Sequence, residues 1–126
     1  TATGSTAEAL DHAQNALSIL QQLAAADPTN AVYPRNIGLC YEKLATAYEH
    51  LGADDKRTSA QRMTDWTEAR GWFEKALHLF AGLRDRGTLM PADFEQSAKF
   101  ERKIRECDAA ISRLNEPSKS AGARGN

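Results

Sequence analysis

The sequence predicts an all-α protein: an antiparallel helix-hairpin stack of four helices, with no β-strand. Three observations carry this. Apolar residues recur three and four apart through most of the chain, which is the spacing of one helical face. No stretch shows the Val/Ile/Thr-rich alternation of a half-buried strand. The chain also repeats itself. Displaced by 60 residues, ALSILQQL (Ala16 to Leu23) falls on ALHLFAGL (Ala76 to Leu83). Displaced by 63, Ile37, Tyr41, Leu44, Tyr48 and Leu51 fall on Phe100, Ile104, Cys107, Ile111 and Leu114. A helix pair written twice predicts elements that pack on their chain neighbours in order: first on second, second on third, third on fourth.

Each element has its own punctuation. Residues 1–6 read as a disordered tail and residues 7–114 as the helical domain. The first helix runs from Ala7 to Ala26, with Leu10, Ala13, Leu17, Leu20 and Ala24 at helical spacing. Ala16, Ile19 and Leu23 widen its stripe. Asp27-Pro28-Thr29-Asn30 ends it, since proline disfavours helical geometry in the residue before it. The second helix runs from about Ala31 to Leu51, with Pro34 in the first turn, where a missing N–H costs little. Gly52 follows as an expected left-handed cap. The third extends from Ser59 to Arg86; Gly71 suggests a break before Trp66, and Gly87 ends the run. Pro91 opens the fourth, which carries Phe94, Phe100, Ile104, Cys107, Ile111 and Leu114. Residues 115–126 have almost no apolar content and read as a second disordered tail.

Composition narrows the function. The 126 residues include 16 Lys and Arg against 17 Asp and Glu, a net charge of −1. Nucleic-acid binding needs a basic field that this balance lacks. No apolar run approaches the ~20 residues that membrane insertion requires. The chain begins at Thr1 without an initiator Met or a signal-peptide pattern, which predicts an excised piece of a longer protein. Its two cysteines, Cys40 and Cys107, are too few for a disulfide framework and lack zinc-site spacing. Reduced thiols and a cytoplasmic location are expected.

Chemically suggestive residues all have a plainer reading. Trp66, Trp72 and Phe73 suggest a ligand cage, but their helical spacing fits packing better. His12, His50 and His78 never form a close metal pair. Asp54, Asp55, Asp65 and Glu68 fit a solvated loop and the start of a helix, where acids suit the macrodipole. The expectation is therefore no catalytic residue, no metal and no cofactor.

Tyr41, Leu44, Ala45, Tyr48 and Gly52, followed by Ala69, Phe73 and Ala76, resemble the tetratricopeptide repeat. Small residues there let two helices approach, and aromatics fill the gaps between them. The sequence departs from the family at Ala45, where glycine is usual, and carries about twelve extra residues between Tyr48 and Ala69. Ala9, Ala13 and Ala16 occupy the second-helix pattern of the first copy, with Ala13 in place of the aromatic. The resemblance implies a right-handed superhelical stack with a concave groove for a protein or peptide partner. On the family pattern Glu42, Thr46, Glu49 and His50 face that groove from the second helix, and Arg102, Arg105 and Arg113 from the fourth. These residues do not reproduce the Lys/Asn carboxylate clamp of chaperone-binding repeats. A looser resemblance, through LAAADPTN and WTEARGWFEKALHLF, is to the C-terminal repeat region of bacterial serine/threonine protein kinases. It implies a non-catalytic interaction module of a signalling protein; no kinase motif lies in the chain itself. The alternative is a structural or oligomerising segment without a peptide ligand. The wide stripe on the first helix predicts self-association as a two-fold homodimer, and the charged outer side of the fourth helix suits a terminal cap.

Overall fold

Four α-helices make up most of residues 2–116, the part of the chain that the computed structural model describes. They are α1 (Ala2–Ala26), α2 (Val32–Ala53), α3 (Ser59–Asp85) and α4 (Gln96–Leu114), with a 3-10 turn at Pro91–Asp93 before α4. No strand occurs among the described residues. The principal packing runs α1 on α2, α2 on α3 and α3 on α4, the order the doubled sequence predicts. Contacts between α2 and α3 pair Gly38 with Phe80 and Gly52 with Trp66, so the two helices run antiparallel.

Local chemistry explains the ends. Asn30 Oδ1 accepts from the Val32 N–H at 3.0 Å and starts α2. Pro34 follows as the third residue of α2, where no intrahelical partner for an N–H exists. Thr58 and Gln61 form a capping box at the start of α3: Gln61 N–H donates to Thr58 Oγ1 at 3.1 Å and Thr58 N–H to Gln61 Oε1 at 3.0 Å. Gly87, at φ 73°, closes the other end. There Gly87 N–H bonds Arg84 C=O at 3.0 Å and Thr88 N–H bonds Leu83 C=O at 2.9 Å, a Schellman pair that satisfies two orphan carbonyls.

Four expectations are corrected, and a fifth falls largely outside the described residues. The N-terminal tail is not separate: α1 already runs from Ala2, because a helix anchored by packing extends cheaply through residues that tolerate it. Of the C-terminal tail, Asn115 and Glu116 follow α4 and residues 117–126 lie outside the described residues. Gly52 is not a left-handed cap but a buried residue inside α2. No break precedes Trp66: α3 is continuous through Gly71, since packing on both sides outweighs one glycine. Phe94 belongs to the connection rather than to α4 and is 63% exposed, because the Pro91 turn comes first.

The core has two parts, and α2 divides between them. Ile37, Cys40 and Leu44 meet Ala13 and Leu17 of α1. Ala45 instead joins Ala69, Phe73, Ala76 and Phe80 of α3, with Phe100 and Cys107 of α4 behind them. Phe100 stacks 6.2 Å from Phe73 and 5.7 Å from Phe80, centroid to centroid. Tyr48 is half-buried against the same cluster, and Trp72 lies 5.7 Å from Tyr41. Thus α3 has two working faces, one turned to α2 and one to α4.

The α2–α3 approach is close enough that glycine is required. A Cβ at Gly38 would lie 2.6 Å from Phe80 Cε2 and 2.9 Å from Leu79 Cδ2; one at Gly52 would lie 2.8 Å from the Trp66 ring. Gly71, by contrast, has open space around it. Glycine to alanine inside a helix ordinarily gains about 0.5–1 kcal/mol. Gly71→Ala should show that gain in urea denaturation, whereas Gly52→Ala should lose about 1–3 kcal/mol to overpacking. Equal shifts for the two variants would contradict the packing described. Phe73, 1% exposed, should cost about 3–5 kcal/mol on replacement by alanine, and a midpoint unchanged from wild type would refute its place in the core.

Candidate functional site

The seven residues expected to face one groove distribute over three surfaces. Glu42 and Glu49 turn from α2 toward α4. Lys99 Nζ donates to Glu42 Oε2 at 2.6 Å, and Lys103 Nζ lies 3.3 Å from Glu49 Oε2. All four side chains are half-buried, so these pairs act as a clamp between two helices that are not chain neighbours. The charged outer side expected of the fourth helix therefore does not include Lys99 and Lys103, which turn inward to α2. Arg102, Arg105 and Arg113 stay on the exposed side of α4. Arg102 makes a loose pair with Glu106 at 3.8 Å and borders a shallow depression with Glu95 and Gln96.

Thr46 and His50, with the other edge of Glu42, line a third surface. This is an open groove of about 850 Å³ between α1 and α2. From α2 it is lined by Leu39, Cys40, Lys43 and Ala47 as well; from α1, by Ser5, Thr6, Ala9, His12, Ala13 and Ala16. The floor is mainly apolar, and His12, His50, Glu42 and Lys43 supply polar groups. None of the three arginines of α4 lines it.

Sequence reasoning missed the α1 wall, although the internal repeat contains the signal. Displacing Ser5, Ala9, His12, Ala13 and Ala16 by 60 residues gives Asp65, Ala69, Trp72, Phe73 and Ala76. In α3 these residues support α2: Ala69 and Ala76 pack with Ala45, and Trp72 with Tyr41. On α1, Ala13 is buried against α2, while Ser5, Ala9 and His12 of the corresponding wall are exposed, with no described helix against them. The groove therefore occupies the place, relative to α1, that α2 fills relative to α3.

The remaining chemical candidates are structural. Asp65 is buried rather than solvated, because Arg57 folds back from the connection and donates to it at 2.9 Å. Asp93 is likewise buried and held by Arg35 at 2.6 Å, which ties the turn before α4 to the start of α2. That pairing raises the Arg35 guanidinium above its ordinary value. Trp66 covers Gly52, and Lys75 sits 4.3 Å over the Trp72 ring, so these aromatics pack rather than form a cage. No group of three His, Cys, Asp or Glu suited to a metal ion occurs among the described residues. No described helix is long and apolar enough to cross a membrane.

Cys40 and Cys107 are buried free thiols. Burial pushes both upward, and Cys107 reaches about 12, with Glu49, Asp108 and Glu106 adding to the effect. Above pH 9 the unfolded thiol ionises while the folded Cys107 stays neutral. The unfolded chain then binds fewer protons, so this contribution to stability is lost progressively between about pH 9 and pH 12. Denaturation midpoints across that range should fall, and Cys107→Ala should flatten the fall. Iodoacetamide at pH 8 should leave Cys107 unmodified until the protein unfolds.

Comparison of the chain with protein-family models, with curated proteins and with solved structures gave no match.

Proposed function

We propose that the chain is a non-catalytic protein–protein interaction module that receives a helix in the groove between α1 and α2. One observation carries this reading: the groove lies where the second helix pair, by the same internal repeat, holds a helix. Its shape and chemistry support the same conclusion. An apolar floor of small residues admits a helix backbone closely, and a polar rim fixes register without dominating affinity. Ala13 and Leu17 of α1 pack on Ile37, Cys40 and Leu44 of α2 below the groove, so its two walls are already held together and little ordering is needed on binding.

The tetratricopeptide-like residues extend the proposal to a right-handed superhelical stack. The looser resemblance extends it to a bacterial signalling protein in the cytoplasm, with a serine/threonine kinase as the catalytic partner domain. A second reading, an oligomerising segment without a peptide ligand, is favoured by the apolar surface of α1, where Ile19 is 58% and Leu23 41% exposed.

The test uses a helix with the character of the one held by α3. A fluorescent peptide spanning residues 32–53 should bind the protein saturably in anisotropy titrations. Ala9→Arg, which places a long charged side chain in the groove wall, should weaken that binding at least tenfold. Absence of binding, or equal binding by the variant, would reject the groove as the interaction site.

A further inference from the structure

The exposed side of α1 is not a random apolar surface. Ser5, Ala9, His12, Ala16, Ile19 and Leu23 form one stripe, about a quarter-turn around the helix from the face that packs on α2. Their spacing is four, three, four, three, four. That is the heptad seam along which two helices interlock knobs into holes. All but Ala16 are exposed, and Ala16 is half-buried. None is an acid, a lysine or an arginine.

The second helix pair shows what such a stripe does. Displaced by 60 residues, it becomes Asp65, Ala69, Trp72, Ala76, Leu79 and Leu83 on α3. Four of these are buried and the other two are half-buried. Leu79 approaches Gly38 of α2, Trp72 approaches Tyr41, and Ala69 and Ala76 cluster with Ala45. A helix therefore covers this register on α3, while no described helix covers it on α1.

Two properties of the stripe choose its occupant. The spacing reads the same from both ends, so an antiparallel copy brings every member opposite another. The sizes are also complementary under that reversal. Ser5 of one copy faces Leu23 of the other, Ala9 faces Ile19, and His12 faces Ala16, so each large side chain meets a small one. The flanking residues agree: Glu8 falls opposite Gln22, and Asn15 opposite Asn15. No like charges meet. A parallel pairing would set Ile19 on Ile19 and Leu23 on Leu23, and leave gaps between Ala9 and Ala9 and between Ser5 and Ser5.

We propose that the occupant is α1 of a second copy of this chain, docked antiparallel along the seam at the mouth of the α1–α2 groove about a two-fold axis. The contact is isologous, so both stripes are covered at once. This rests on the groove being a helix-docking site and names the helix that docks there.

Sedimentation equilibrium of the full 126-residue chain, from low to several hundred micromolar, measures the association. Conversion from monomer to dimer is expected, and Ile19→Glu should raise the dissociation constant at least tenfold with helical circular dichroism unchanged. Register is read separately by cysteine pairing under mild oxidation. A mixture of Ala9→Cys and Ile19→Cys chains should form an intermolecular disulfide that neither variant forms alone, with the wild-type chain controlling for Cys40 and Cys107. A strict monomer overturns the proposal. So does a dimer that Ile19→Glu leaves intact, or one whose mixed variants fail to cross-link. If the chain is monomeric but still binds the 32–53 peptide, self-docking fails and the groove reading stands. If it does neither, both fail.

Discussion

The fold depends on how closely α2 approaches α3. Gly38 and Gly52 lie fourteen positions apart on α2, and each receives an aromatic ring of α3 where a side chain would otherwise be. Between them Ala45 meets Ala69 and Ala76, again small against small. Helices of average side chains pack 8–10 Å apart; this string of small residues lets the backbones approach while Phe80 and Trp66 fill the space beside them. Because α3 is pinned here, Phe73 and Phe80 are placed to stack on Phe100 and to seat α4.

Charge then adds what apolar packing does not specify. The helices α2 and α4 are separated in the chain by the whole of α3, yet Lys99 and Lys103 reach Glu42 and Glu49. Arg35 and Asp93 tie the start of α2 to the turn before α4. Half-buried pairs of this kind contribute modestly to stability, but they distinguish one packing angle from its neighbours. The same use of charge occupies Glu49 and one carboxylate oxygen of Glu42, leaving only an edge of Glu42 at the α1–α2 groove. A functional reading based on exposed acids of α2 therefore gives way to one based on the space between α1 and α2.

The two halves of the chain are alike in pattern and unlike in occupancy. In α3 the small-residue register is covered by α2, with Trp72 and Leu79 supplying bulk. In α1 the same register carries Ser5, Ala9, His12 and Ala16, and no described helix covers it. A repeat architecture makes such a vacancy informative, since the filled copy shows what the unfilled one is shaped to hold.

All-helical structure, the four helices and their order of packing were legible in the sequence. Helical spacing and the doubled pattern depend on side-chain periodicity, which is local and linear. Gly87 was readable as a stop because only a left-handed residue completes that end. Gly52 was misread because a glycine at a close approach and a glycine at a cap are the same letter; the Trp66 ring that distinguishes them comes from fourteen residues away. Phe94 was assigned to a helix because its spacing is helical, although the Pro91 turn places it in the connection. The candidate groove was legible only in part. Thr46, His50 and Glu42 do line an open groove, but which way Glu42, Glu49, Lys99 and Lys103 turn is set by the distance between α2 and α4. That distance is fixed by how α2 and α4 each pack on α3, a quantity that no one-dimensional pattern contains.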